Sequence, residues 1–180
     1  VGRLKGAKVA TQGYAGLTIA AENLIKAQGN EYQQKKYAEP MMAGRFFGTM
    51  CLTEPHSGSS LGDLRTRAEP QDDGSYRLFG NKIFISAGDH ELSDNIVHLV
   101  LARLPDAPPG VKGISLFTVS KHHTDEQGRV GERNDVALAG LIHKCGWRGT
   151  TSTMLSFGEN DACVGDLVGR PNGGVACNCT

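Results

Sequence analysis

The amino-acid sequence predicts an α+β protein in which a short helical segment precedes an antiparallel β-barrel or β-sandwich. Three observations predict it: an apolar stripe at helical spacing near the N-terminus, about seven strand-like runs after residue 45, and turn-forming clusters between those runs. The runs follow one another without a long helical pattern between them, which is typical of antiparallel sheets. We therefore expect the end of a helical domain over residues 1–45, a β-domain over residues 46–170 and the start of a further region over residues 171–180.

The helical segment is predicted to contain two helices. Apolar residues recur every three or four positions over residues 17–25 and define one face of the first helix. Asn30 with Gln33 has the pattern of a capping box, which opens a second helix that we expect Pro40 to close. Lys36 is expected to lie on the solvated face of this second helix. A segment this short cannot bury both of its faces by itself and needs a packing partner.

Strand patterns begin at residue 46. The run "DLRTRAEP" over residues 63–70 alternates apolar and charged positions, as a half-buried strand does. The turn "QDDGS" and the run "YRLFG" that follow it predict a β-hairpin. Five later runs have the same character: "NKIFISAG", "NIVHLVLAR", "GISLFTVS", "DVALAGLIHK" and "TSTMLSF".

Charge and composition exclude several function classes. The chain has 180 residues, of which 39% are hydrophobic and 21% charged, as in ordinary globular proteins. Its 19 basic residues balance 19 acidic residues, so nothing favours binding to nucleic acid or to an anionic membrane surface. No run approaches the roughly 20 apolar residues of a membrane-spanning helix, and the N-terminus lacks the apolar core of a signal peptide. Because the chain does not begin with Met, we interpret it as a piece of a longer protein.

The cysteines and histidines do not predict a metal site. Five cysteines at irregular spacing include no C-x-x-C pair, which favours free thiols in a reducing compartment, and we expect a cytoplasmic protein. Cys177 and Cys179 are interpreted as part of a tail rather than as metal ligands. The six histidines show no spacing typical of metal ligands.

Residues 58–62, "GSSLG", match the G-x-S-x-G pattern of serine hydrolases, with Ser60 in the place of the nucleophile. A nucleophile elbow needs a strand directly before the serine and a helix directly after it. Here Pro55 and His56 interrupt the preceding strand, and a strand-like run follows. A serine hydrolase remains an alternative function, and a non-catalytic β-domain that serves as an interaction module is a second alternative.

Four segments together resemble the acyl-CoA dehydrogenase family. "TEPHSGS" at residues 53–59 resembles the family's T-E-P-x-A-G-S signature, and "KIFISAG" at residues 82–88 resembles K-x-W-I-T-N-G. "HKCGWRGTT" from residue 143 resembles K-x-G-x-R-x-S/T, and "LVGRPNGG" from residue 167 resembles the L-G-x-x-x-x-G before the family's C-terminal helices. The resemblance spans about residues 14–175 in the family's order, and linked motifs are more specific than any single one. The variant features resemble the long acyl-CoA dehydrogenases related to 3-methylmercaptopropionyl-CoA dehydrogenase.

This resemblance implies an FAD-dependent enzyme of acyl-CoA metabolism. In the family a base removes the α-proton of the thioester while the β-hydrogen leaves as hydride to the flavin, and an electron-transferring flavoprotein is the expected acceptor. The base lies in a C-terminal helical bundle that this sequence lacks, so no catalytic residue is expected before Thr180, and "VACNCT" is not expected to continue a helix. The bundle also completes the FAD site across a subunit interface of a homo-oligomer. The chain by itself is therefore expected to bind FAD poorly and to be inactive.

The resemblance also implies which residues contact the cofactor. Phe84 stands where the family has a tryptophan against the ring, and Ser86 stands where it has a threonine near flavin N5. Ser59 corresponds to a serine near the flavin phosphates and the acyl-CoA, and is therefore also a substrate-binding candidate. Ser60 departs from the family's usual Asp, and Glu54 belongs to the flavin-side loop rather than serving as the base. The complete set of expected cofactor-binding residues is Met50, Leu52, Thr53, Gly58, Ser59, Phe84, Ile85 and Ser86.

Overall fold

The computed structural model describes residues 9–178, which begin with a layer of helices. Helix α1 covers Val9–Gln28. A second helical stretch consists of α2 (Glu31–Gln33), a π-helical turn (Gln34–Ala38) and α3 (Glu39–Met42). The two predicted helices are therefore present, and among the helices within residues 9–178 none is long and apolar enough to cross a membrane.

The start of the second helical stretch agrees with the sequence pattern, and its end does not. Asn30 Oδ1 accepts the backbone N–H of Gln33 at 2.8 Å, and Gln33 Oε1 accepts the N–H of Asn30 at 3.2 Å, so the predicted capping box is confirmed. The prediction that Pro40 closes the helix is wrong. The N–H of Glu39 donates to the carbonyl of Gln34, five residues earlier, which completes the π-helical turn. Pro40 then lies in the first turn of α3, where the backbone N–H that proline lacks is not needed for a hydrogen bond within the helix.

Helix α1 lies directly on the first β-strand. Ala21 and Ile25 are buried on the helix face that the apolar pattern predicted. A Cβ atom at Gly48 would lie 2.5 Å from the Cβ of Ala21, so only glycine permits this close approach. The N–H of Gly48 also donates to Thr18 Oγ1 at 3.1 Å, while that hydroxyl donates to the carbonyl of Tyr14 at 2.8 Å. The helix is thus fixed to the sheet by packing and by a buried hydrogen bond.

The β-domain contains ten strands within the described part of the chain. The sequence predicted about seven strands. The predicted runs over residues 76–80 and 81–88 form one strand, and three short strands that were not predicted cover residues 122–124, 130–133 and 164–168. The strands are β1 (Phe46–Cys51), β2 (Arg67–Pro70), β3 (Tyr76–Ser86), β4 (Asn95–Arg103), β5 (Ile114–Ser120), β6 (His122–Thr124), β7 (Val130–Arg133), β8 (Val136–Leu141), β9 (Ser152–Phe157) and β10 (Val164–Val168).

Five of these strands close into a small barrel. β4, β5, β10 and β3 pair in that order, and β2 pairs with both β3 and β4 to complete the ring. β9 and β8 extend the sheet beyond β3, while β1 extends it beyond β4. Pairing is antiparallel except that β1 and β2 run parallel to β4. The predicted α+β fold with an antiparallel barrel is confirmed. The parallel pairing of β1 with β4 is possible because β2 and β3 lie between them in the chain and provide a long connection.

Strand β4 divides the interior into two cores. Side chains alternate across a strand, so Leu99 and Leu101 face a helix-side core that includes Ile25 of α1. Val100 faces a barrel core together with Phe117 of β5. Every residue of β4 except the last is buried, which explains why its sequence reads as an almost continuous apolar run.

The chain after β10 returns to the barrel surface and forms a short helix, α4 (Gly174–Asn178). The prediction that "VACNCT" does not continue a helix is therefore wrong for the described part of that stretch. The N–H of Asn172 donates to Ser115 Oγ at 2.9 Å, and Val175 packs against the helix-side core. A Cβ at Gly174 would lie 2.7 Å from the backbone of Ser115, so glycine allows the helix to begin in contact with β5.

Candidate functional site

The two principal motifs of the sequence lie side by side in the fold. The first motif, residues 53–59, follows the end of β1. The second motif, residues 82–88, covers the last five residues of β3 and the two residues after it. The N–H of Ile83 donates to the carbonyl of Thr53 at 2.9 Å, which joins segments thirty positions apart in the chain. The bond places the start of the first motif beside the second motif.

A buried ion pair lies directly beneath this junction. Lys82 Nζ donates to Glu54 Oε1 at 2.9 Å and to the carbonyl of Leu52 at 3.1 Å. The two side chains are only 0% and 2% exposed. Burial lowers the pKa of Lys82 below its ordinary value, and the neighbouring Glu54 carboxylate opposes that shift. Lys82 was not predicted as a site residue, and its position in the K-x-W-I-T-N-G-like motif was the only signal in the sequence.

Both carboxylate oxygens of Glu54 are engaged by the protein. Oε2 accepts the backbone N–H of Arg65 at 2.8 Å, and Oε1 accepts the backbone N–H of Thr66 at 2.9 Å as well as the Thr66 hydroxyl. Burial by itself raises the pKa of Glu54, but Lys82 and the bonds from Thr66 and Arg65 outweigh it and hold that pKa below its ordinary value. An ionised carboxylate with no free oxygen suits a structural role, not that of a base.

The loop after Glu54 is closed by its own backbone. The N–H of Glu54 donates to the carbonyl of Ser57 at 2.8 Å, and the N–H of Ser57 donates back to the carbonyl of Glu54 at 3.0 Å. Ser57 Oγ then donates to the carbonyl of Ser60 at 2.6 Å. These bonds leave Gly58 and Ser59 exposed at the tip of the loop.

The same loop contradicts the serine hydrolase alternative. Ser60 is followed by a single 3₁₀ turn, Leu61–Asp63, and then by β2, not by the helix that a nucleophile elbow requires. The imidazole Nε2 of His56 lies 3.1 Å from the carbonyl of Asp63 and 3.5 Å from Glu54 Oε2. His56 is therefore occupied by partners other than Ser60.

A β-bulge shapes the second motif. The register between β3 and β9 shifts between Lys82 and Ile85. Phe84, within the bulge, has a positive φ of 58°, which is uncommon and strained for a residue with a large side chain. As a result the Phe84 ring is 59% exposed, whereas the side chain of Ile85 is buried in the barrel core. Ser86 is half-buried at the end of the strand.

The remaining expected cofactor residues lie at the end of β1. Met50, Leu52 and Thr53 are half-buried, and the first two pack against the helix-side core. Seven of the eight expected residues therefore have part of their surface free, whereas Ile85 is only 2% exposed.

A third segment adjoins the second motif, and sequence reasoning did not assign it to the site. The N–H of Ala87 donates to the carbonyl of Thr151 at 2.9 Å, which places the "GWRGTT" loop beside residues 86–87. In this loop Trp147 is 58% exposed and has a positive φ of 54°. Thr151 Oγ1 is buried without a hydrogen-bond partner among the described residues. The resemblance of "HKCGWRGTT" to the family's K-x-G-x-R-x-S/T segment was the available signal.

Metal binding has no support in the described region. Within residues 9–178 no group of three or more His, Cys, Asp or Glu side chains is arranged to hold a metal ion.

Comparison with known proteins identifies the family. The protein-family model for the acyl-CoA dehydrogenase middle domain matches residues 49–159 of this chain. This chain belongs to the acyl-CoA dehydrogenase family. The assignment made from the motifs is thereby confirmed, and the matched region contains all eight expected cofactor residues of the β-domain.

Individual relatives agree with this assignment. A 3-methylmercaptopropionyl-CoA dehydrogenase from Ruegeria pomeroyi is 45% identical over 159 residues, which cover 88% of this chain and 26% of the relative. A broad-specificity linear acyl-CoA dehydrogenase from Mycobacterium tuberculosis is 44% identical over 175 residues, covering 95% and 28%. The crystal structure of an acyl-CoA dehydrogenase from Geobacillus kaustophilus superimposes with a TM-score of 0.67 at 27% identity, covering 86% of this chain and 37% of that one. The chain thus spans about a quarter of the length of these curated relatives.

Proposed function

We propose that this chain is the flavin-binding middle part of a longer acyl-CoA dehydrogenase, which converts an acyl-CoA thioester to its α,β-unsaturated form. The observation that carries the proposal is the junction of the two family motifs, joined by the bond between Ile83 and Thr53. FAD, when bound, supplies the acceptor for the hydride that leaves the β-carbon of the substrate. The protein's own residues bind and orient the cofactor.

The side chains around the junction fit an isoalloxazine ring. Such a ring is flat and amphipathic, and it needs apolar walls with a few hydrogen-bonding groups at its polar edge. Phe84 offers an exposed aromatic face, and Met50 supplies part of an apolar wall. Ser86 and Thr53 contribute hydroxyls. Thr151 Oγ1, which has no hydrogen-bond partner within residues 9–178, is a further buried group that a bound molecule could satisfy. We assign Ser86 the role of hydrogen-bonding the flavin near N5.

The exposed loop tip suits the phosphates of the cofactor and the acyl-CoA. Gly58 has no side chain, so its backbone can approach a ligand closely, and Ser59 offers a hydroxyl beside it. We assign both residues to FAD and Ser59 also to the substrate.

The base that removes the α-proton is proposed to lie beyond Thr180. Glu54 follows Thr53 of the motif junction directly, and both of its carboxylate oxygens are already bonded to Lys82, Arg65 and Thr66. We further propose a homo-oligomer with electron-transferring flavoprotein as its acceptor, in the cytoplasm.

The full-length protein tests this function. Purified from an expression host, it should be yellow, release FAD on denaturation, and lose its visible flavin absorbance when an acyl-CoA is added without oxygen. Butyryl-CoA and 3-methylmercaptopropionyl-CoA are suitable first substrates, and the free acids are matched controls. A colourless full-length protein that contains no extractable flavin would refute the proposal.

The hydrolase alternative is tested in the same preparation. A fluorophosphonate probe should not label Ser60, because only a single 3₁₀ turn follows that residue and no histidine within residues 9–178 is hydrogen-bonded to it. Labelling of the wild-type protein that disappears in Ser60→Ala would instead establish a nucleophilic serine.

A further inference from the structure

We propose that the buried Glu54–Lys82 pair is a positioning element that holds both flavin-contacting segments in one fixed arrangement. The inference rests on the proposed function, because it concerns how the same site binds FAD. It assigns a role to two residues whose side chains do not contact the cofactor. These residues determine where the contacting residues lie.

The pair joins the two segments at consecutive positions. Lys82 Nζ bonds to the carbonyl of Leu52 and to the carboxylate of Glu54, and the next residue, Ile83, donates its N–H to the carbonyl of Thr53. Residues 52–54 are therefore each bonded to residue 82 or 83. A displacement of one segment relative to the other would break all three bonds together.

Glu54 also controls both ends of the exposed loop. Its backbone pairs with Ser57 at the start of the loop, and its carboxylate accepts the N–H groups of Arg65 and Thr66 at the end. Gly58 lies between these fixed points. The position of the loop tip therefore depends on the orientation of one buried carboxylate, which Lys82 holds in place.

In the second flavin-contacting segment, Lys82 directly precedes the β-bulge in which Phe84 is exposed. Lys82 pairs in register with Leu155 of β9, and the register shifts immediately after it. The strained backbone of Phe84 persists only if the residues on either side are firmly fixed. The buried ammonium group provides that fixed point on one side of the bulge.

A purely stabilising role would not require charges here. Replacing a buried ion pair by neutral residues of similar volume is often neutral for stability or favourable. What an apolar side chain cannot do is donate simultaneously to a carbonyl and a carboxylate on a neighbouring segment. Stability and positioning can therefore be separated by experiment.

The test uses three variants of the full-length protein: Lys82→Met, the double variant Lys82→Met/Glu54→Gln, and the control Lys36→Met. Lys36 forms a less buried ion pair with Asp166 of β10, a strand that contains none of the expected cofactor residues. For each variant, the thermal midpoint of the apoprotein and the Kd for FAD are measured at a temperature at which it is folded.

Loss of positioning should raise the Kd for FAD by at least about tenfold in Lys82→Met, which corresponds to about 1.4 kcal/mol. The double variant should regain thermal stability but keep the raised Kd, because the bond to the Leu52 carbonyl is still missing. The control should leave the Kd unchanged. If Lys82→Met does not fold, the double variant decides the question.

Two results would overturn the proposal: an unchanged Kd in a folded variant that lacks Lys82, or a Kd that recovers together with the thermal midpoint in the double variant. Failure of the proposed function looks different. In that case the wild-type protein itself would bind no FAD, whereas failure of positioning leaves wild-type binding intact and the variants equal to it.

Discussion

Two of the ion pairs that connect distant parts of the chain differ in how deeply they are buried. Lys82 and Glu54 join β3 to the loop after β1, with side chains that are 0% and 2% exposed. Lys36 and Asp166 join the π-helical turn to β10 at 3.1 Å, with side chains that are 12% and 21% exposed. We call these the inner pair and the outer pair.

The difference in burial determines what each pair can do. Charges that are removed from water are costly to leave unpaired, so loss of either partner of the inner pair has a large effect. The outer pair keeps some hydration and has the Tyr37 hydroxyl as an additional partner, which donates to Asp166 Oδ2 at 2.7 Å. We infer that the inner pair fixes the geometry of the candidate site, whereas the outer pair attaches the helical layer to the barrel.

The largest expected effect is the removal of one inner charge. Lys82→Met should lower the free energy of unfolding by about 3–5 kcal/mol, because Glu54 remains buried without its cation. Urea denaturation of wild type and variant measures the difference. Lys82→Met/Glu54→Gln is the control and should recover most of the loss. A decrease below about 1 kcal/mol in the single variant would show that the inner pair behaves like a surface pair.

A second prediction extends the comparison to a buried histidine that has one side-chain hydrogen-bond partner in the described part of the chain. His98 is fully buried; its Nδ1 lies 2.7 Å from Thr49 Oγ1, and its Nε2 has no partner among the described residues. Burial lowers the pKa of His98 from 6.5 to about 3. Between these values the unfolded state binds a proton that the folded state does not, so stability falls as the pH falls.

His98 should contribute about 1.4 kcal/mol per pH unit to the slope, or roughly 2–3 kcal/mol over two units below pH 6.5. His90 and His122, whose pKa values burial also lowers, add to the same slope. Urea unfolding across that pH range measures it. His98→Gln should reduce the slope by the contribution of His98, whereas His123→Gln, which removes an exposed histidine, should keep it. An equal slope in wild type and His98→Gln would contradict the prediction.

The outer pair should respond more weakly. Tyr37→Phe removes a hydrogen bond to a charged acceptor and should cost about 1.5–3 kcal/mol. Lys36→Met should cost less than about 1 kcal/mol, because the Tyr37 hydroxyl still satisfies Asp166. Thermal unfolding of the two variants side by side measures both changes. A larger loss of stability in Lys36→Met than in Tyr37→Phe would show that Lys36, not Tyr37, is the more important partner of Asp166.

The smallest expected effect is on the reactivity of two buried thiols, one near the inner pair and one near the outer pair. Cys51 precedes the inner-pair loop and Cys163 precedes β10; burial raises the pKa of each to about 12. Iodoacetamide followed by peptide mass spectrometry should modify the exposed Cys145 in the native protein, and Cys51 and Cys163 only after unfolding. In Lys82→Met, modification of Cys51 should accelerate more than that of Cys163. Equal acceleration would indicate that the inner pair has no local effect.

Much of the fold could be predicted because local patterns encode it. The capping box at Asn30 and Gln33 formed as expected, and the hairpin predicted over residues 63–80 corresponds to the antiparallel pairing of Ala68 with Leu78. These features depend on residues a few positions apart, where side-chain spacing and turn chemistry act directly. The motifs likewise indicated the family before any contact was known.

Other features could not be predicted, since their causes lie far apart in the chain. Lys36 was expected to face solvent, yet it pairs with Asp166, which is 130 positions away. Pro40 was expected to end a helix, and the π-helical turn before it changed the register so that helical backbone continues. The local sequence does not show that Phe84 is exposed and Ile85 buried, because the β-bulge opposite β9 determines which of the two side chains faces outward.

The sequence by itself determined the class of fold, the order of the strands along the chain, and the family whose motifs it contains, because these depend on local periodicity and on residue identity. Only the tertiary structure decided which polar residues are buried together. The closure of the barrel brought Lys82 onto Glu54 and the carbonyl of Leu52, and thereby joined the two motifs. The physical reason is that the strength of an ion pair depends on its removal from water, and burial is a property of the packed barrel.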